Sequence, residues 1–116
     1  MSALSIQKAS AVTSAPQNTA TSFEAFDVTN FKSASFQMVK SGAGAGTLKL
    51  QQSNDGSNWN DVNTTSQPEA TASVSAGSSS SMVSCNTSAA HIRAVFTENN
   101  TGAVTVVSGK YIGKQH

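Results

Sequence analysis

Two histidines (His91 and His116), one cysteine (Cys85) and six carboxylates (Glu24, Asp27, Asp55, Asp61, Glu69 and Glu98) are the side chains that can carry acid–base, nucleophilic or metal chemistry. A zinc centre needs a set of Cys and His ligands at short, paired spacings. His91 has no second histidine at ligand spacing, and His116 is the last residue of the chain. Cys85 and His91 can be written as a thiol–imidazole pair, but Cys85 falls in an apolar alternating stretch, where a small buried core residue is the simpler reading. Glycoside hydrolysis needs two carboxyl groups facing each other across a sugar. Asp55 and Asp61 belong instead to one hairpin and are expected to point into solvent. The tract Ser41-Gly42-Ala43-Gly44-Ala45-Gly46 is glycine-rich, yet it lacks the lysine and hydroxyl that close a phosphate-binding loop. No catalytic residue, metal or cofactor is expected, and the chain reads as a non-enzyme.

One segment is dense in polar side chains: Asn54-Asp55-Gly56-Ser57-Asn58-Trp59-Asn60-Asp61. It lacks the alternating acidic pattern and closing glutamate of a helix–loop–helix calcium site, although a structural ion among its oxygens stays open. Asn54, Asp55, Asn58, Trp59, Asn60 and Asp61 are the candidate ligand or contact residues. Trp59 is the sole tryptophan. In a small sandwich such a ring is expected to anchor the core. Its alternative use is a platform for a sugar ring, with Asn58, Asn60 and Gln52 as polar neighbours.

The elements that position these residues follow a period of two, the signature of half-buried strands. Alternation runs through Ala34, Phe36 and Met38, through Leu48 and Leu50, and through Ile92, Ala94 and Phe96. Phe23 and Phe26 are three apart, which implies a bulge or an early strand end between them. A further strand is expected over residues 4–10, with Leu4 and Ile6 on one face. Others are expected over 70–74 and 82–85, and over 103–112 with a bulge at Gly109. Asn54-Asp55-Gly56 is a strong hairpin signal, because Asn and Asp tolerate the turn and Gly takes positive φ. The glycine tract at 41–46 and Asn99-Asn100-Thr101-Gly102 read as two more hairpin connections, and residues 77–81 as a polar turn. Nowhere do apolar residues recur at helical spacing over three turns. The expectation is one all-β domain over residues 1–116, an antiparallel β-sandwich or jelly-roll-like fold of about 8–9 short strands. Residues 1–21 would form an N-terminal strand and an arm that is either a loop or a reach toward a neighbouring subunit.

Composition narrows the function classes. Charged residues make up 11% of the chain and the formal net charge is +1, so no basic face is available for nucleic acid. A single cysteine permits no internal disulfide. The start of the chain has no basic region followed by an apolar run, so no signal peptide is read there. No stretch approaches the ~20 apolar residues of a membrane span. Synthesis in a cytoplasm is expected. The sequons at Asn63, Asn86 and Asn99 are what chance supplies in a chain rich in Ser, Thr and Asn.

Gly46-Thr47-Leu48-Lys49-Leu50-Gln51-Gln52-Ser53-Asn54-Asp55-Gly56-Ser57-Asn58-Trp59-Asn60-Asp61 resembles a hairpin in small tailed-phage and prophage virion proteins of about this length. A late stretch, Ile92-Arg93 through Phe96-Thr97 to Thr105-Val106, is similar to a second hairpin of theirs. The resemblance spans roughly residues 23–112. It implies a virion accessory protein: head decoration, minor capsid, head fibre or tail component. Its implied partners are copies of itself and other virion proteins, and its location is the virion. The same hairpin also resembles discoidin-like domains in its Ser53, Asp55, Gly56 and Trp59. That resemblance implies a carbohydrate-binding module using the 54–61 hairpin.

Overall fold

The computed structural model describes residues 5–10, 20–99 and 104–114. Ten strands form there: β1 (Ser5–Ser10), β2 (Ala20–Ser22), β3 (Phe26–Asp27), β4 (Ser33–Ser41), β5 (Gly46–Ser53), β6 (Asn60–Asp61), β7 (Thr71–Val74), β8 (Ser79–Asn86), β9 (His91–Glu98) and β10 (Thr105–Lys114). Among the described residues one 3-10 turn, Pro68–Ala70, precedes β7; Pro68 stands at its start, where a fixed φ and a missing N–H are tolerated. The expected connection or arm over residues 13–20 lies outside the described residues except for Ala20, which opens β2.

The strands pair only antiparallel, in two sheets. The first has the order β1-β10-β4-β8. In the second, β9 and β5 are the centre; β2 and β3 pair along the outer side of β9, and β6 and β7 along the outer side of β5. With β2/β3 and β6/β7 taken as edge strands, the chain switches sheets at every step except from β5 to β6/β7, in the manner of a jelly roll. The all-β sandwich read from the alternation is the architecture observed.

Two connections differ from their expected form. The glycine tract after β4 and the segment after β9 were expected as hairpins, yet β4 and β5 lie in different sheets, as do β9 and β10. Both are crossovers between layers. A glycine-rich connection signals a sharp change of direction, and nothing local says whether the next strand pairs back or crosses over. The bulge in β10 falls between Val106 and Ser108, and Gly109 pairs regularly with Met38. Ser79, Ser80 and Ser81 belong to β8 rather than to the preceding turn.

The space between the sheets is filled by Phe23, Phe26, Phe31, Phe36, Met38, Leu48, Leu50, Val83, Ile92, Phe96 and Tyr111, all buried. Phe36 sits 4.7 Å from Phe23 and 4.6 Å from Tyr111, ring centroid to centroid, with tilted planes. Phe26 stacks on Tyr111 at 5.3 Å. These separations are those at which aromatic pairs add to burial. Tyr111 also joins the layers by a polar bond: its hydroxyl accepts from the N–H of Ala94, across the sandwich in β9, at 2.9 Å. The irregular 23–25 stretch between β2 and β3 lets both Phe23 and Phe26 turn inward, which a continuous strand would forbid.

Cys85 belongs to this core. Burial pushes its thiol up to about 11, so neither a thiolate nor access is on offer at neutral pH. A thiol reagent is expected to leave the native protein unlabelled at neutral pH and to react with one equivalent in denaturant. Because the folded thiol holds its proton above the ordinary value of 9.0, stability is expected to fall as pH rises from there toward 11. Wild type minus Cys85→Ala should show a stability difference that shrinks across that range, measured by urea titrations repeated at each pH.

Candidate functional site

The 54–61 segment is a loop closing β5 onto β6, with Gln51 opposite Asp61 and Gln52 opposite Asn60. It is wider than a two-residue turn, and Asp55 organises it. Its Oδ1 accepts from the N–H groups of Asn58 (2.8 Å) and Ser57 (2.9 Å) and from the Ser53 hydroxyl (2.9 Å), while Oδ2 accepts from Asn58 Nδ2 at 2.7 Å. Ser53 Oγ in turn accepts from the N–H of Gly56 at 2.9 Å and of Asp55 at 3.2 Å. The Asn58 N–H and side-chain amide, then Ser57 and Ser53, hold the Asp55 carboxyl well below the usual carboxylate range. Gly56 adopts φ 76°, the left-handed value expected of it. Asn54 Oδ1 accepts from Ala90 N at 3.1 Å, which ties the loop to the turn before β9. The Asp55 carboxylate is exposed, as expected, and is occupied in building its own loop.

The structure divides the six candidate residues. Asn54, Asp55, Asn58 and Asn60 line an open polar groove of about 360 Å³ with Gln52, Ser53, Ser88 and Ala89. Trp59 and Asp61 do not line it. Trp59 is half-buried and outside the core cluster, so the expectation of a core anchor is corrected. Its indole is met by the Arg93 guanidinium, 4.5 Å from the ring centroid, a cation–π distance. The physical reason lies in position: Trp59 immediately precedes β6, a two-residue strand at the edge of the second sheet on the far side of β5 from β9, where its ring meets a side chain instead of the space between the sheets. Arg93 Nε also donates to Gln51 Oε1 at 2.9 Å, Gln51 Nε2 donates to Asp61 Oδ1 at 2.9 Å, and Lys49 Nζ lies 3.2 Å from Asp61 Oδ1. The Gln51 amide first, then Lys49, lowers the Asp61 carboxyl below its ordinary value. Lys49, Gln51, Trp59, Asp61 and Arg93 therefore form a polar ladder on the outside of the second sheet, its alternate partners bonded to one another. Arg93 was not singled out by the sequence; its place two residues before Val95 on the outward side of β9 was the available signal.

The thiol–imidazole pair does not exist, since Cys85 is in β8 of the first sheet and His91 begins β9 in the second. His91 instead faces Asp27 across the β3–β9 ladder, with its ring 3.9 Å from the position a side chain at Gly56 would take. Among the described residues no three His, Cys, Asp or Glu side chains gather at metal-binding distance. A second open groove, about 520 Å³, runs over the outside of the first sheet beside β8. Among the described residues three polar ones are buried, Lys40, Ser53 and Glu98, a burial that the sequence reading did not anticipate.

No protein-family profile matches the chain, and no curated protein matches it in sequence. Solved structures match it in fold. The "PBSX exported protein XepA" superposes with a TM-score of 0.64 over 95% of this chain at 13% identity; this chain spans only 37% of that one. The "SPBc2 prophage-derived protein YomS" matches with a TM-score of 0.55 at 10% identity, over 97% of this chain and 96% of the other. A chain of infectious bursal disease virus, Gx strain, matches with a TM-score of 0.57 at 10% identity, over 100% of this chain and 34% of that one. At these identities the likeness is one of fold.

Proposed function

We propose that this chain is a non-enzymatic structural component of a bacteriophage virion, a capsid decoration, minor capsid, fibre or tail protein, acting through contacts with copies of itself and with other virion proteins. The observation that carries the reading is the sandwich itself. Its interior is filled by packed rings and aliphatic side chains, so what it offers a partner is its outer faces and strand edges. Both grooves are open and mostly polar, suited to contacts repeated over many copies in an array. Structures of like fold include a prophage-derived protein and a virus chain. The charge-poor sequence fits packing against neighbours of the same kind.

Mixing the purified protein with phage particles lacking it, followed by gradient sedimentation, tests the reading. Co-migration at a fixed stoichiometry is expected. Failure to bind heads or tails would overturn it.

The competing carbohydrate reading draws on Trp59, half-exposed beside asparagines. Its weakness is geometric: Arg93 occupies the ring, and the asparagine groove lies apart from it. Trp59→Ala is expected to leave the fold intact, because the ring is outside the core, and to leave particle binding unchanged. Loss of retention on a glycan column in that variant would favour the sugar module instead.

A further inference from the structure

We propose that β8 pairs with the β8 of a second copy of this chain, antiparallel across a two-fold axis at Met82, joining two four-stranded sheets into one of eight. This rests on the assembly reading and names the surface used.

The argument begins with where the backbone groups of β8 point. β8 ends the first sheet and pairs with β4 alone. Ser33 stands opposite Asn86, and the N–H of Thr87 donates to the carbonyl of Lys32. That pattern directs the odd residues of β8 toward β4 and the even ones away from it. The side chain of Gln67 independently marks the same direction, for its Oε1 accepts from the N–H of Asn86 at 2.5 Å. At Asn86 the open edge is therefore capped. The N–H and C=O groups of Ser80, Met82 and Ser84 face the same way and meet no partner among the described residues.

A bare edge is a template for another strand, and proteins guard such edges with charge, proline, bulges or brevity. The remaining edges are guarded so. β3 and β6 are two residues long, β2 three and β7 four; β6 carries Asp61, ion-paired to Lys49; β1 includes Lys8. β8 is eight residues long, Ser-Ser-Ser-Met-Val-Ser-Cys-Asn, with no charge, proline or glycine. Facing itself, it brings no like charges together, so a copy is an occupant that matches at every position.

The register is set by the same groups. With Met82 opposite Met82 of the copy, Ser80 stands opposite Ser84 and Ser84 opposite Ser80. Each such hydrogen-bonded pair exchanges two bonds, so the new ladder holds about six. Met82 is the one exposed large hydrophobic residue among those described, at 57% of its surface. The two-fold lays it against its own copy on the outer face, and serine meets serine on either side.

Sedimentation equilibrium from micromolar to millimolar protein tests this, with wild type, Met82→Lys and Ser84→Pro. Lysine at 82 places two ammonium groups opposite each other. Proline at 84 removes an outward N–H while leaving the β4 ladder whole. The expected result is a wild-type dimer that both variants lose, with circular dichroism and melting unchanged in Met82→Lys. A monomer at every concentration overturns the proposal. A dimer that survives both substitutions also overturns it and moves self-contact elsewhere, leaving the assembly reading to stand on particle binding.

Discussion

Gly46→Ala is expected to cost the protein a large part of its stability, through a single methyl group. A Cβ built on Gly46 lies 2.0 Å from the carbonyl oxygen of Thr97 and 2.9 Å from its carbon, with Glu98 Cα at 3.0 Å. All three are backbone atoms of β9, the strand that pairs with β5 from end to end. Nothing flexible is available to move aside, so relief requires the first rungs of the central ladder to separate. Gly46 also opposes Val74 on its other side, which blocks a shift in that direction. Overpacking a core costs typically 1–3 kcal/mol where side chains can adjust; against fixed backbone the cost is expected above about 3 kcal/mol, from a total near 5–15 kcal/mol for a domain of this kind. Urea denaturation followed by tryptophan fluorescence measures it, with Gly56→Asn as the control. Gly56 needs positive φ, which asparagine tolerates, and a Cβ there meets nothing closer than 3.9 Å. The control is expected within about 1 kcal/mol of wild type. Equal losses in the two variants would mean that the β5–β9 approach is looser than the geometry shows.

The contrast between those glycines marks what was legible in the sequence. Strand faces were legible wherever alternation was strict: Ala34, Phe36 and Met38, Leu48 and Leu50, and Ile92, Ala94 and Phe96 are all buried as read. The Asn-Asp-Gly turn was legible because its chemistry is local. Gly42, Gly44 and Gly46 read as one flexible tract, yet Gly46 is already in β5, fixed by a close approach of β9 some fifty residues on. That demand is nonlocal and leaves no trace in the neighbouring residues. The same holds for the crossovers, since a connection looks alike whether the next strand pairs back or changes sheet. For the candidate site, the 54–61 loop was found but not its internal division. Trp59 was misread because burial was inferred from residue type, when the shortness of β6 decides it.

Lys40→Met is expected to destabilise the protein by about 2–3 kcal/mol, although it replaces a buried charge with a side chain that fits a core. The alternation that places Ala34, Phe36 and Met38 inward puts Lys40 on the same face, and it is 1% exposed. Its ammonium donates to the carbonyls of Gly77 (2.5 Å), Ser75 (2.9 Å) and Gly42 (3.3 Å). These carbonyls belong to two connections that cross between the sheets, the one after β4 and the one after β7, so one side chain clasps both at that end of the sandwich. Removing it affects them unequally. Gly42 O keeps the N–H of Gly77 at 2.8 Å, and Ser75 O keeps the hydroxyl of Ser79 at 3.4 Å, whereas Gly77 O loses its donor. A hydrogen bond to a charged group contributes about 1.5–3 kcal/mol and an orphaned buried acceptor costs about 1–3; the easier burial of Met offsets part of this. Melting is expected to fall by roughly 10 °C. A second signature separates the clasp from simple packing. Burial lowers the Lys40 pKa below its ordinary 10.5, so the unfolded chain binds this proton more tightly and the Lys40 contribution to stability increases with pH across the window ending there. Wild type minus Lys40→Met should therefore show a stability difference that grows as pH rises through that window. A difference that is flat with pH would mean that the three carbonyls replace the ammonium's water in full; a difference near zero at every pH would mean that the two crossovers are held by their backbone bonds alone.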